Sequence, residues 1–194
     1  KFETSEKYQT YLTRLKEWES CMSVINKFRV YSRKMEVDKE SGYVIIDKII
    51  KSEDKSKDEL YINAKECLAT FFNSVNDVIQ LDDKQNGIII SKGIFSFTYA
   101  GLLGLTTSSH CYFTLKIHCK DGRFRVIWSD LKFDFSKDLN KISADYILLN
   151  PYKEDGVTPE RWKADVKEAT LDFIDKFNYT LTRSLTKKKL DDDW

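Results

Sequence analysis

The sequence predicts an α+β fold. The expected order is strand, helix, four strands and helix, forming a curved, mainly antiparallel sheet, with an extra helix at the N-terminus. Three observations carry this. Apolar residues recur at steps of three and four in Thr4–Tyr31, Lys57–Phe72 and Thr158–Leu181, the helical period. They alternate at steps of two in His110–Lys120. The pair Asp121-Gly122 separates that run from the next apolar run, the strongest short-range signal for a hairpin. At 194 residues the chain is long enough for one domain with a sizeable core, or at most two small ones. We divide it into residues 1–41 (an amphipathic helix and a charged connection), 42–188 (a single α+β domain) and 189–194 (a fraying tail). With only seven glycines and two prolines, long flexible linkers are not expected.

Thr4 and Ser5 are N-cap types and open the first helix. Tyr8, Tyr11, Leu12, Leu15, Trp18, Met22, Ile25 and Phe28 share one face, which is expected to pack on the core or on a partner. Ser32–Ser41 is charged and aperiodic. Gly42–Lys51 reads as a strand whose apolar residues occupy both parities, Val44 and Ile46 but also Ile45 and Ile49. That pattern predicts cover on both faces. Ser56 can cap the next helix, with Asp58 and Glu59 in its positive first turn. Leu60, Ala64, Cys67, Leu68, Phe71 and Phe72 form its buried face, and Asn73-Ser74 ends it.

Val75–Leu81 then reads as a short strand, Asp82–Gly87 as a turn and Gly87–Tyr99 as a longer strand. Gly93 interrupts the last of these and marks a bulge or a close approach. Ala100–Ser109 reads as an apolar loop; its leucines Leu102, Leu103 and Leu105 either fold back on the core or form a contact surface. In the hairpin, a two-residue turn pairs Lys120 with Arg123, Cys119 with Phe124 and Ile117 with Val126. The apolar parity of the return strand switches between Trp128 and Leu131, which calls for a bulge near Ser129 or Asp130. Ser136–Gly156 is a long connection in which Tyr146–Leu149 is a short strand or an apolar pad. Thr158 is the expected cap of the last helix and Pro159 its first residue. Its buried stripe runs through Trp162, Val166, Ala169, Phe173, Ile174, Phe177 and Leu181.

Little chemistry is legible. The net charge is +1, whereas dedicated nucleic-acid binders carry a strong basic excess. No apolar run is long enough to be a transmembrane helix. No signal peptide is visible, and the start at Lys1 rather than Met is compatible with removal of an upstream segment. The cysteines Cys21, Cys67, Cys111 and Cys119 form no CxxC pair and read as buried free thiols, with a disulfide left open. His110-Cys111 and His118-Cys119 do not make a metal site. Eight residues of strand span about 26 Å, and alternation sends the cysteines and histidines to opposite faces. The chain has no phosphate-cradling glycine loop, no HExxH and no GxSxG, so no metal or cofactor is expected. Asn178-Tyr179-Thr180 fits a glycosylation pattern but falls inside a helix. What remains is a basic strip on the polar face of the hairpin, Lys116, His118, Lys120, Arg123 and Arg125. It is either a solvated face that protects an edge or a site for an acidic ligand.

One family resemblance emerges. Lys57-Asp58-Glu59-Leu60-Tyr61, Ala64-Lys65, Phe71-Phe72, Val78-Ile79-Gln80, Asp83, Gly87 and Lys92-Gly93 follow each other in an order that resembles a bacterial family, domain of unknown function 4468. Lys120-Asp121-Gly122-Arg123 continues the match, which spans about Val44–Phe133. The resemblance implies a TATA-binding-protein-like fold and an exported or cell-envelope protein of gut bacteria. It supplies no activity and no catalytic residues. The expectation is therefore a non-catalytic binding or structural module of the periplasm or envelope. Its contact would be the open sheet face or the Ala100–Ser109 loop, and its partner a protein, glycan or lipid, with a homodimer among the options. The alternatives are an enzyme with a site around His118, Asp121 and Arg125, or nucleic-acid binding through the basic strip.

Overall fold

The computed structural model describes residues 2–32, 35–72, 78–100, 105–135, 142–153 and 155–186. Seven strands form one antiparallel sheet: β1 (Glu36–Val37), β2 (Val44–Lys51), β3 (Ile79–Asp83), β4 (Ile88–Ala100), β5 (Thr106–Lys120), β6 (Arg123–Asp134) and β7 (Ile142–Ser143). Their order across the sheet is β1-β2-β6-β5-β4-β3, with β7 pairing on β6 beyond the end of β2. The helices are α1 (Phe2–Ser32), α2 (Lys57–Phe71), α3 (Ala144–Leu148) and α4 (Arg161–Thr186). α2, α3 and α4 pack on one sheet face, and α1 packs on α4. The fold class read from the sequence is thus the fold of the protein.

The core lies between that sheet face and the helices. Alternation sends Cys111, Phe113, Leu115, Ile117 and Cys119 of β5 inward. Phe124, Val126 and Trp128 of β6 join them, followed by Leu131 and Phe133 after a parity switch. The switch is a bulge. Tyr112 pairs with Lys132 and Thr114 with Ser129, so β6 carries one extra residue, and Asp130 takes a φ of 53° to accommodate it. The hairpin turn has the expected register, Lys120↔Arg123, Cys119↔Phe124 and Ile117↔Val126. Gly93 is a close approach rather than a bulge. The Phe113 ring lies over it, and a Cβ there would sit 2.5 Å from Phe113 Cζ. α2 begins at a full capping box. Ser56 Oγ accepts from Glu59 N, and the Glu59 carboxylate accepts from Ser56 N.

Several boundaries differ from expectation. β2 starts at Val44, two residues later than Gly42, and its second face is not covered, since Ile49 is 58% exposed. The charged connection Ser32–Ser41 contains a short edge strand, β1, whose two residues pair with Ile45 and Val44. The strand after α2 lies at Ile79–Asp83, reaching two residues past the expected end at Leu81, while residues 73–77, which include the expected helix end and the first part of Val75–Leu81, lie outside the described residues. Half of Ala100–Ser109 is sheet rather than loop. Ala100 ends β4 and pairs with Thr106, the first residue of β5, and residues 101–104 lie outside the described residues. Tyr146–Leu149 is not a strand. Its first three residues end the short helix α3, which places Ile147 and Leu148 in the core as the alternative apolar pad. α4 starts at Arg161, because Thr158 is held in a turn by Asp155 and Pro159 bridges to Tyr152. The tail beyond residue 186 lies outside the described residues.

Of the two expectations for the apolar face of α1, core or partner, the core takes only its last turns. Phe28 is buried, but Tyr8, Tyr11 and Trp18 are about 60% exposed, so the first five turns carry their aromatic face into solvent. The last turns anchor the helix. Lys27 Nζ bridges Asp165 and Glu168 of α4 at 2.8 and 2.6 Å, and the Phe28 ring covers the ammonium of Lys167.

Candidate functional site

The uncovered sheet face is built by the other parity of the same strands. Cross-strand pairing sets its residues in rows. One row runs Ile49, Arg125, His118, Ile88, and the next runs Lys51, Arg123, Lys120. Asp47, Ile127, Lys116 and Ile90 form the third. None of the described helices packs on this face. At its β2–β6–β5 end lies a hollow of about 620 Å³, lined by Glu36, Asp47, Ile49, His118, Lys120, Arg123 and Arg125. The hollow is open to solvent, a shallow basin and not an enclosed cavity.

Its lining sets three cations, Lys120, Arg123 and Arg125, against two carboxylates, Glu36 and Asp47. Lys120 lies directly opposite Arg123, and His118 opposite Arg125. The like charges of Lys120 and Arg123 repel and cost stability. Asp47 offsets Arg125. Its carboxylate accepts from Arg125 Nη2 at 2.6 Å and from Nε at 3.0 Å, a two-point contact that holds the guanidinium over the sheet. Lys116, Lys120 and Arg123 are in no ion pair among the described residues. His118 is half-buried rather than exposed, and its pKa falls below the usual 6.5. Desolvation is the main cause, followed by the charges of Lys116, Arg125 and Lys120, with Asp47 opposing. The imidazole is thus biased towards the neutral form by desolvation and, secondarily, by neighbouring cations.

The structure brings together four of the five residues of the basic strip, His118, Lys120, Arg123 and Arg125, in the lining of one hollow; Lys116 is one row away. Asp121 does not join them. Its Oδ1 accepts from Lys57 N at 2.7 Å, which satisfies the first free amide of α2. Leu105 is 68% exposed and does not fold back on the core, while Leu102 and Leu103 lie outside the described residues. His110 also faces outward, where Ser96 Oγ lies 3.0 Å from its Nδ1. Cys67, Cys111 and Cys119 are buried free thiols. Burial raises all three, Cys67 and Cys119 to about 12, so they are inert at neutral pH. Among the described residues no cluster of three or more His, Cys, Asp or Glu is placed to hold a metal. No described helix is long and apolar enough to cross a membrane.

Sequence reading missed Asp47, Ile49 and Glu36 as part of the hollow. Asp47 and Ile49 share an outward parity in β2, but only the β2–β6 register places them beside Arg125 and Ile127. It also missed Lys163 and Lys167, which are fully buried. Each sits one position after a residue of the predicted stripe, Trp162 and Val166, so the four-residue step was there to find.

No curated protein matches the chain. A family model, the domain of unknown function DUF4468 with TBP-like fold, matches residues 47–134. A DUF4468 family protein from Bacteroides ovatus has a similar solved structure, with a TM-score of 0.65 and 16% identity over 82% of this chain and 96% of that one. A TBP-like protein from Parabacteroides distasonis gives a TM-score of 0.59 and 14% identity over 79% of this chain and 99% of that one. At such identities the likeness shows the fold alone. The segment that builds the hollow and the hairpin, residues 47–134, is therefore a match to the DUF4468 family with its TBP-like fold.

Proposed function

We propose that the protein is a non-catalytic binding module of the bacterial cell envelope. On this reading it takes an acidic ligand on the uncovered sheet face. The observation that carries the reading is the direct opposition of two cations in no ion pair among the described residues, Lys120 and Arg123, beside Arg125 in a hollow also lined by Ile49. A carboxylate or phosphate between those cations relieves their repulsion, and the isoleucines beside them favour a ligand with apolar surface. Exposed Leu105, at the far end of β5, offers a second contact for the same partner. The envelope location rests on the family resemblance.

An enzyme built on His118, Asp121 and Arg125 draws less support, because the Asp121 carboxylate is engaged by Lys57 N and Arg125 by Asp47. Nucleic-acid binding draws less again, given the net charge of +1.

Calorimetric titration with polyglutamate, polygalacturonate and phosphatidylglycerol vesicles tests the proposal, with an oligonucleotide of equal charge as control. At least one of the three acidic probes is expected to bind more tightly than the oligonucleotide, with an affinity that falls as salt rises. The double substitution Lys120→Glu/Arg123→Glu is expected to weaken that binding by about tenfold or more. Failure of every acidic probe, or binding that ignores the double substitution, overturns it. Preference for the oligonucleotide would make the nucleic-acid reading the better one.

A further inference from the structure

α1 carries a seam that the fold leaves unused. Tyr8, Tyr11, Leu15, Trp18, Met22 and Ile25 follow steps of three, four, three, four and three. That is the strict a/d repeat of a coiled coil, narrower than the stripe of a helix facing a core. Tyr8, Tyr11, Leu15 and Trp18 are exposed, and Met22 and Ile25 are half-buried where the helix reaches the domain. At 100° per residue, the exposed seam is turned by about 170° from the side where Lys27 and Phe28 meet α4. A second helix can therefore lie along the seam without displacing the domain.

The flanking charges choose the occupant. With Tyr8 at a, Lys7 and Arg14 fall at g, and Glu19 falls at e. In a parallel pair, each g residue meets the e residue five positions on in the other helix, so Arg14 faces the partner's Glu19 twice by symmetry. An antiparallel pair would instead set g against g, which places Lys7 and Arg14 together. Neither Arg14 nor Glu19 is in an ion pair among the described residues. We infer that the α1 seam from Tyr8 to Met22 pairs in parallel with the same seam of a second copy of this chain. The inference is independent of what the sheet face binds.

Sedimentation equilibrium of the whole chain over a wide concentration range tests it. The expected result is a reversible monomer–dimer equilibrium. Trp18→Glu, at an exposed position, should abolish the dimer and leave the far-ultraviolet circular dichroism unchanged. Arg14→Glu and Glu19→Arg should each weaken association by about tenfold at low salt, and the double reversal should restore it to within about threefold. A chain that stays monomeric at every concentration overturns the inference. So does a dimer indifferent to Trp18→Glu, or one that the double reversal fails to restore. Monomers that bind lipid vesicles through Trp18 would also overturn it and assign the seam to a membrane surface.

Discussion

Desolvation, helped by neighbouring cations, lowers the His118 pKa, and the sign of the effect on stability follows. Its folded pKa lies below 6.5, so below that value the unfolded chain takes up a proton that the folded ring resists. Stability is therefore full above 6.5 and declines as pH falls through it. Replacing His118 with Gln should remove that part of the decline, as read from urea denaturation above and below 6.5. Gly93 makes a different demand. A methyl group there meets the Phe113 ring, so Gly93→Ala should cost about 1–3 kcal/mol, and a smaller residue at Phe113 should recover part of it. Asp121 separates the two site readings. Asp121→Ala should lower stability by about 1 kcal/mol, through the lost contact to Lys57 N, and leave ligand affinity unchanged. An enzyme centred on Asp121 would lose its activity instead.

Elements with local signals were legible, and elements made by distant pairing were not. The capping box at Ser56 and Glu59 and the Asp121-Gly122 hairpin are written in contiguous residues. Ser56→Ala should accordingly destabilise the protein by about 1 kcal/mol in thermal or urea unfolding. The bulge at Asp130 was readable because a parity switch leaves a trace in the apolar pattern. β1 and β7 left none, being two residues long and formed only by docking on β2 and β6. Thr158-Pro159 has the composition of a helix start, yet Asp155 and Tyr152 claim those residues first. The basic strip was visible in β5 and β6, but its hollow also needs Asp47 and Ile49 from β2, about 75 residues earlier in the chain.

On the scale of the whole molecule, one sheet face makes the core, and none of the described helices packs on the other. The strand predicted at Gly42–Lys51 shows the division. Its apolar residues occupy both parities, but only Val44, Ile46 and Ile50 are buried, while Ile49 stays on the open side. α1 is joined to the layer of helices through Lys27, Phe28 and the two buried lysines' helix, α4. Lys167 is fully buried, donates to Leu148 O at 2.6 Å, and has its pKa lowered by desolvation to about 8. Between about 8 and the ordinary 10.5 the unfolded chain binds the proton and the folded one does not, so this residue makes stability rise with pH across that window. Lys167→Met should abolish the rise in urea midpoint over the same range.

The proposed function requires the open face to be the binding face. The direct measurement is a nuclear magnetic resonance titration that follows backbone amides and the His118 ring as the best acidic probe is added. The account predicts shifts concentrated at Lys116, His118, Lys120, Arg123 and Arg125, with the His118 pKa moving up from its depressed value as the anion offsets its cationic neighbours. Shifts confined to other surfaces, with the His118 pKa unmoved, would contradict it.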